Sequence, residues 1–126
     1  MTKINIKTDC GNAPKREFLK DFRIAMAEAN EIFLLNSVTD DIVWSIVGDR
    51  VVTGKKSYAV ALNKILKTNV EELTLFQILS HGKEGAVNGA IKTKNGDVLE
   101  FSEFYTFKGA KGDKIKSITT YLVKTK

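Results

Sequence analysis

The spacing of apolar residues divides the chain into a first part with helical character and a second part rich in strands. Phe18, Phe22 and Met26 recur at intervals of three and four, which is the period of a helix with one buried face. Pro14 suits the first turn of that helix, because a proline there sacrifices no hydrogen bond. The predicted helices span 14–30, 31–38 and 55–67.

Alternating and β-branched residues predict strands in the rest of the chain. The segment "TDDIVWSIVGDRVVTG" (39–54) has β-branched residues on both sides of the turn signal "VGDR", which predicts a hairpin. The dipeptide "NG" at 95 and 96 indicates a tight turn in the second part. Further strands are predicted over 70–82, 85–94, 97–107 and 114–125, with a glycine loop at 108–113. Helices followed by a run of strands predict an α+β fold.

Composition indicates one domain over residues 1–126, since 126 residues is an ordinary domain size and the single proline leaves no sign of a linker. Hydrophobic residues make up 43% and charged residues 28%, which is typical of a globular protein. The first residues lack the apolar stretch of a secretory signal, and one cysteine, Cys10, cannot form an internal disulfide. These features favour a cytoplasmic location.

The net charge of +5 raises the question of nucleic-acid binding. The lysines are dispersed along the chain and no basic segment is interleaved with aromatic residues, so no specific nucleic-acid binding is expected. No apolar run is long enough to span a membrane, and no membrane partner is expected. One histidine and one cysteine leave no zinc-type cluster, and no glycine-rich nucleotide loop follows a strand. We therefore expect no metal and no cofactor.

The segment "FSEFYTF" (101–107) places a carboxylate, Glu103, on a strand face that is otherwise aromatic. If residues 95 and 96 form a two-residue turn, Asn88 lies opposite Glu103 on the neighbouring strand. Pairing Phe107 with Ile115 places Thr119 opposite Glu103 on the other side. Lysines are absent from this strip except near its end, so no cation is expected beside Glu103. The face predicted from this register holds Leu73, Leu75, Gln77, Leu79, His81, Asn88, Phe101, Glu103, Tyr105, Thr119 and Tyr121.

The element order and three segments resemble the nuclear transport factor 2-like superfamily, and most of all its SnoaL-like and ketosteroid-isomerase-like branch. The segments are "DDIVWSIVG" (40–48), "SHGKEGAVNG" (80–89) and "FYTFKGAKGDKIKSITTY" (104–121). The resemblance implies a cone-shaped α+β fold, in which three N-terminal helices pack on a strongly curved, mostly antiparallel sheet. It also implies a pocket on the concave face and homodimers formed through the sheet. It does not specify an activity, because this fold hosts enzymes, binding proteins and dimerisation modules.

The steroid-isomerase mechanism is not expected to carry over. The resemblance places Ser45 near the position of the family's proton-shuttling carboxylate and Phe22 near that of its oxyanion-hole tyrosine. Only Glu103 falls near the second acid, which that family keeps protonated. A serine without a partner is a poor base and a phenylalanine donates no hydrogen bond, so two of three functional groups are missing.

Three hypotheses follow for function. In the first, the protein binds a small, largely apolar molecule in the pocket. In the second, it is an isomerase, cyclase or hydrolase with Glu103 and His81 as its acid–base pair. In the third, it is a dimerisation module whose cone is filled by the side chains of Trp44, Phe22 and Tyr121. Each site residue also has a structural alternative, such as core packing for Trp44 or support of a β-bulge for Asn88. The predicted ligand-binding residues are Trp44, Phe22, Gln77, Asn88, Phe101, Tyr105, Thr119 and Tyr121.

A homodimer is predicted from the other face of the sheet, because the helices can cover only one face and a large apolar surface rarely stays exposed. The residues assigned to this outer face are Phe76, Ile78, Val87, Ile91, Phe104, Ile118 and Leu122.

Overall fold

Three helices pack against a seven-stranded sheet in the computed structural model of the chain, which describes residues 2–11, 13–109 and 114–126. The helices are α1 (Pro14–Ala27), α2 (Glu31–Asn36) and α3 (Lys55–Ile65). The strands are β1 (Lys3–Ile6), β2 (Val38–Ile46), β3 (Arg50–Thr53), β4 (Val70–His81), β5 (Glu84–Thr93), β6 (Val98–Phe107) and β7 (Ile115–Lys124). The predicted α+β class, with three helices and a mostly antiparallel sheet, is confirmed. In the described part of the chain, none of the helices has the length and apolar character needed to cross a bilayer.

The strands lie in the order β1-β4-β5-β6-β7-β2-β3. The consecutive strands β4 to β7 form an antiparallel meander, while β1 joins β4 and β2 joins β7 in parallel. The hairpin predicted over 39–54 is present as β2 and β3, which pair antiparallel. The meander therefore places β6, the strand that carries Glu103, between β5 and β7 near the middle of the sheet.

Each predicted helix extends two or three residues beyond its observed end, and one strand was not predicted. The first helix ends at Ala27, and Asn30 caps α2 instead, where its side chain accepts a hydrogen bond from the Phe33 N–H at 3.2 Å. Strand β1 was not predicted, because its four residues, Lys3–Ile6, are too few for alternation to be distinctive. The glycine loop predicted at 108–113 lies largely outside the described residues.

The predicted register of the meander is wrong by one residue at Glu103. Val87 lies opposite Glu103 on β5, and Asn88 lies opposite Ser102. The turn after β5 explains the error. The Gly96 N–H donates to the Thr93 carbonyl at 3.0 Å, and Gly96 has φ +94°. This geometry is a three-residue hairpin loop with a bulge at the glycine, so the chain gains one residue over the predicted two-residue turn.

The other side of β6 shifts in the same way. Phe107 pairs with Ile115 as predicted, but a register shift follows between Thr106 and Phe107, and Glu103 therefore meets Thr120 instead of Thr119. A slip of one residue moves a side chain to the opposite face of the sheet. The same reasoning explains why five residues that were predicted on the outer face lie on the inner face instead: Ile78, Val87, Ile91, Ile118 and Leu122.

The outer face still carries large exposed apolar side chains. Phe76, Leu79, Phe104 and Tyr121 are 42–58% exposed, and the rings of Phe104 and Tyr121 pack edge to face at 6.1 Å. We call these four residues the outer patch. The patch differs in membership from the predicted one but lies on the predicted side of the sheet.

A glycine lets the inner face close around β6. A Cβ built on Gly89 would lie 2.2 Å from the Thr74 carbonyl oxygen and 2.9 Å from the Phe101 ring. No side chain fits at position 89. Because glycine has none, the Phe101 ring can lie across β5. This packing holds the Phe101 ring beside the residues described below.

Candidate functional site

The carboxylate of Glu103 is buried and receives two short hydrogen bonds. Its side chain lies between those of Phe101 and Tyr105 on the inner face of β6, and all three residues are buried. The Tyr105 hydroxyl donates to Oε1 at 2.5 Å, and the Thr120 hydroxyl on β7 donates to Oε2 at 2.7 Å. Hydrogen bonds to an ionised acceptor are short and strong, and these two stabilise the carboxylate inside the protein.

Arg23 on α1 supplies a counter-charge for Glu103, although no cation was expected beside it. Its Nη1 lies 3.3 Å from Glu103 Oε1, and both side chains are only 4% exposed. Its Cζ lies 4.1 Å from the centre of the Phe101 ring, which is cation–π distance. The two ions neutralise each other, so the interior holds a paired charge rather than an isolated one.

A third strand joins the network through Trp44 on β2. The Trp44 indole N–H donates to Thr120 Oγ1 at 2.9 Å, and the same hydroxyl donates onward to Glu103. The Trp44 ring also packs edge to face on Tyr58 of α3 at 5.4 Å. Trp44, Thr120 and Glu103 therefore form a chain of hydrogen bonds across β2, β7 and β6.

Two tyrosines next to this network resist ionisation. Burial raises the pKa of Tyr105 well above its ordinary value, and the nearby Glu103 charge raises it further. Burial also raises the pKa of Tyr58, again with a smaller contribution from Glu103. Both hydroxyls therefore stay protonated at neutral pH, and that of Tyr105 remains available as a donor.

A cavity of about 260 Å³ opens beside this network. Arg23, Glu103, Thr120 and Trp44 form its buried polar end, and Asp49 and Arg50 of the β2–β3 hairpin lie at the exposed end. The remaining lining residues are mostly apolar and come from the last part of α1, the end of α3 and the inner face of the sheet: Met26, Ala27, Ile46, Ile65, Thr68, Val70, Ile91, Thr93, Leu99, Phe101 and Leu122. An apolar cavity with a few convergent polar groups is the usual form of a small-molecule site.

Five of the predicted site residues lie inside the protein. Glu103, Trp44 and Phe101 line the cavity. Tyr105 contacts the site through its hydrogen bond to Glu103, and the Phe22 ring packs edge to face on Tyr105 at 6.0 Å. Phe22 and Tyr105 are buried core residues that are not among those lining the cavity.

The structure does not bring the other predicted residues to the cavity. Gln77, Asn88, Thr119 and Tyr121 lie on the outer face of the sheet, because the true register turns them away from Glu103. Gln77 and Asn88 border a shallow outer depression with Leu79 and Phe104, and Tyr121 borders another beside Phe76.

The predicted pairing of Glu103 with His81 also requires correction. His81 is exposed at the end of β4 and pairs with Glu84, which in turn pairs with Thr106. Two strand spacings and three residues along β6 therefore separate His81 from Glu103, or roughly 14 Å. The two side chains are too far apart to act on one substrate proton.

Arg23 is the main residue that sequence reasoning missed, and a signal for it exists. Leu19, Phe22, Arg23 and Met26 occupy one helical face at i, i+3, i+4 and i+7, so Arg23 interrupts an apolar stripe. A buried arginine requires a counter-ion, and a carboxylate on an aromatic strand face is its natural partner. Thr120 was missed only because the register was shifted by one residue.

Ser45, the residue compared with the proton-shuttling carboxylate of steroid isomerases, lies on the outer face of the sheet. Trp44 and Ile46 line the cavity, and strand alternation puts Ser45 between them on the opposite face of β2. Ser45 pairs with Thr119 of β7, and Thr119 is on the outer face as well. Within the described ranges, no group of three histidine, cysteine, aspartate or glutamate residues could hold a metal ion.

Fold and site together define a small α+β protein with a buried ion pair at the end of an apolar cavity. No protein-family model matches the chain, and no curated protein matches it in sequence. Solved structures do match. A nuclear transport factor 2-like protein of unknown function from Cytophaga hutchinsonii is 21% identical with a TM-score of 0.68, and the match covers 86% of this chain and 99% of that one.

Two further matches carry names that mention enzymes. The epoxide hydrolase/cyclase-like enzyme SalBIII is 18% identical with a TM-score of 0.74, covering 89% of this chain and 93% of that one. A protein from Shewanella denitrificans, provisionally assigned as a SnoaL-like polyketide cyclase, is 12% identical with a TM-score of 0.74, covering 89% and 92%. The chain therefore has the nuclear transport factor 2-like fold, which is the fold that the resemblance of its sequence implied. At these identities the likeness establishes the fold and not an activity.

Proposed function

We propose that the protein binds a small, largely apolar molecule in the cavity between α1, α3 and the sheet. The observation that carries the proposal is the cavity itself, about 260 Å³ of space with an apolar wall and a polar end that is fixed in place. The volume equals that of about nine waters at ~30 Å³ each. Because bonded atoms pack more closely than separate waters, the cavity suits a ligand of roughly eight to fifteen non-hydrogen atoms.

The arrangement supports binding better than proton transfer. Glu103 accepts hydrogen bonds from Tyr105 and Thr120 and is paired with Arg23, so its negative charge is well compensated. Both of its oxygens are already engaged by protein groups, so a substrate proton would have to compete with these donors for them. His81, its predicted partner in catalysis, lies elsewhere. Enzymatic activity with Glu103 and His81 as an acid–base pair is therefore not the function we propose.

The filled-cone alternative is also less well supported. It required Trp44, Phe22 and Tyr121 to occupy the interior. Trp44 lines the cavity without filling it, Phe22 packs in the core away from it, and Tyr121 lies on the outer face.

Trp44 provides a direct test, because it lines the cavity and is the single tryptophan of the chain. Uncharged aromatic compounds of the stated size should produce a saturable change in Trp44 fluorescence. Ala27→Leu, which places three more carbons in the cavity, should weaken binding at least about tenfold. Ala59→Leu is the matched control, since Ala59 lies on α3 and is not among the lining residues. Equal binding by both variants, or no response to any compound, would contradict the proposal.

We also propose that the outer patch forms a homodimer contact, as the sequence analysis predicted. Four large apolar side chains exposed side by side on one sheet face support it. Light scattering should give twice the chain mass of 14.0 kDa at high micromolar concentration. The double variant Leu79→Ser/Phe104→Ser should be monomeric, whereas Val60→Ser, a change at an exposed valine on α3, should leave the dimer intact. A wild-type protein that stays at the mass of one chain would disprove the dimer.

A further inference from the structure

The outward side chains of β5 form a pattern that complements itself when it is reversed. They are Glu84, Ala86, Asn88, Ala90 and Lys92, and β5 pairs with β6 over this whole stretch without a register shift, so all five lie on the outer face. A half-turn about Asn88 places the acid opposite the lysine, one alanine opposite the other, and the amide opposite itself. Two β5 strands laid antiparallel over each other therefore match at every outward position.

A row of uncharged polar side chains crosses the outer face at Asn88. The residues paired across β4 to β7 at this level are Gln77, Asn88, Ser102 and Tyr121. Each carries an amide or a hydroxyl, and these groups both donate and accept hydrogen bonds. Such a group can bond to a copy of itself, whereas a charged group would repel its copy. A two-fold axis along this row, which brings each residue against its own copy, therefore meets no electrostatic obstacle.

The same axis exchanges an exposed ring with a depression in the outer face. Phe104 lies two residues after Ser102 on β6 and is 54% exposed. Glu100, two residues before Ser102, borders a depression of about 280 Å³ that Phe76 and Tyr121 also line. A half-turn about the polar row places the Phe104 ring of each copy over this depression in the other copy. Large aromatic side chains seated in pockets contribute most to the stability of protein contacts.

The four strands β4 to β7 also offer enough surface for a stable contact. Strands about 4.8 Å apart and about nine residues long cover roughly 20 Å by 30 Å, or about 600 Å² on each copy before the relief of the side chains is counted. A standard interface buries ~800 Å² per partner, so a contact over this whole face is close to the usual size.

From these observations we infer that two copies of the chain pack outer face to outer face about a two-fold axis along the polar row, with their β5 strands antiparallel and Glu84 of each copy paired with Lys92 of the other. The inference rests on the homodimer proposed above and adds the orientation of the two copies and the residues that specify it. It assigns the outer face one occupant, a second copy of the same chain.

The reach of the side chains agrees with this pairing. Packed sheets cross at about 30°, which displaces Glu84 sideways from Lys92 of the second copy by roughly 7 Å. Both side chains are exposed and long enough to span that distance. Lys92 also lies 3.7 Å from Glu71 of its own chain, and a lysine ammonium has three donors, so it can serve both carboxylates.

Charge reversal tests the pairing, because Glu84 and Lys92 are separated by eight residues of one strand, roughly 27 Å, and cannot meet within a chain. Glu84→Lys and Lys92→Glu each set like charges against each other at both ends of the β5 contact. Each should raise the dimer dissociation constant about tenfold in low salt. The double variant Glu84→Lys/Lys92→Glu restores opposite charges and should return to within about threefold of the wild type. Sedimentation over a dilution series measures all four constants.

A mixture of the two single variants is the sharper experiment. A dimer of one Glu84→Lys chain and one Lys92→Glu chain has opposite charges at both ends, whereas either homodimer has like charges at both. With one variant labelled with ¹⁵N, native mass spectrometry should find about nine-tenths of the dimers mixed, against about one half for random association. Any repulsion between Glu71 and the new carboxylate at position 92 lies within one chain and cancels in this comparison.

Lys64→Glu is the matched control, because Lys64 is an exposed lysine on α3 and the substitution changes the net charge as Lys92→Glu does. Mixed with Glu84→Lys, it should give only the random share. A wild-type protein that stays at the mass of one chain would refute both the dimer and this arrangement. If the wild type is a dimer and the mixture of Glu84→Lys with Lys92→Glu also gives the random share, the arrangement is wrong and the dimer stands. The mixture decides the question even if the double variant does not fold.

Discussion

The interior between α1 and the sheet differs at its two ends. At one end, Phe18 of α1 lies 6.0 Å from the Phe107 ring and 6.4 Å from the Phe22 ring, so aromatic side chains fill the space. At the other end, Arg23 and Glu103 border open volume. The boundary between the two falls within one turn of α1, where an arginine follows Phe22 directly.

This difference separates the close-packed part of the core from the open part that the proposed ligand would occupy. Close-packed aromatic residues contribute through burial and dispersion. A buried ion pair contributes little net stability, because desolvation of both ions offsets their attraction. The open end thus carries a costly arrangement that packing alone does not explain. We interpret the ion pair as a feature that serves the proposed binding site rather than the stability of the fold.

Removing the arginine alone should produce the largest loss of stability. Arg23→Met leaves the Glu103 carboxylate buried without its counter-ion, and breaking one side of a buried pair costs about 3–5 kcal/mol. The double variant Arg23→Met/Glu103→Gln should cost much less, about 1–2 kcal/mol, because it leaves no unpaired charge. Urea unfolding of the wild type and both variants measures these differences.

The comparison of single and double variants is the informative part. If both lose the same free energy of unfolding, the ion pair does not act as a coupled unit, and the distinction between the two ends of the interior loses its electrostatic basis.

Alkaline pH should destabilise the protein through the two tyrosines near Glu103. The pKa of both Tyr58 and Tyr105 is raised by burial in the folded state. Below the unfolded tyrosine pKa of about 10, both states keep these protons and the pKa shifts leave stability unaffected. Above it, the unfolded chain releases protons that the folded protein retains, so stability falls by roughly 1.4 kcal/mol for each tyrosine between pH 9 and pH 11.

Urea unfolding between pH 9 and pH 11 measures this loss, and its slope should steepen as the pH rises through the unfolded pKa. Tyr58→Phe removes one of the two ionising groups and should reduce the slope by roughly the contribution of one tyrosine. An unchanged slope in that variant would show that the alkaline loss comes from other groups.

Gly89→Ala should disturb the open end through Phe101. The added Cβ would meet the Thr74 carbonyl oxygen, which belongs to the backbone of β4 and cannot move away easily. Overpacking of this kind costs about 1–3 kcal/mol, and the displaced Phe101 ring should also change the NMR signals of the Arg23 guanidinium above it. Ala86→Ser, a small change on the outer face of the same strand, should alter neither quantity. Retention of full stability by Gly89→Ala would mean that β4 and β5 are less closely packed than the structure indicates.

Periodicity was sufficient to predict much of this architecture. The spacing of Phe18, Phe22 and Met26 identified α1 and its buried face, and alternation along 101–107 identified the inner face of β6 with Glu103 on it. These patterns arise from local geometry, namely 3.6 residues per helical turn and two per strand repeat, and therefore can be read from one segment at a time.

The composition of the site depended on relations between segments, and these were not predictable in the same way. A bulged turn at Gly96 shifted β5 by one residue, which exchanged Asn88 for Val87 beside Glu103. Which turn forms depends on backbone conformations that several sequences tolerate. The contact between Arg23 and Glu103 joins residues 80 positions apart, so only the packing of α1 on the sheet reveals it.

The smallest expected effect tests the difference between the two ends most directly, with one substitution at two positions of α1. Ala25 is buried in the core and is not among the residues that line the cavity, whereas Ala27 lines it. Leucine at Ala25 has no space and should cost about 1–3 kcal/mol. Leucine at Ala27 enters open volume, where added apolar burial offsets any strain, so its free energy of unfolding should lie within about 1 kcal/mol of the wild type. Urea unfolding of both variants measures the contrast. Equal losses of unfolding free energy would show that the cavity closes in solution, and the proposed binding site would then be too small for a ligand.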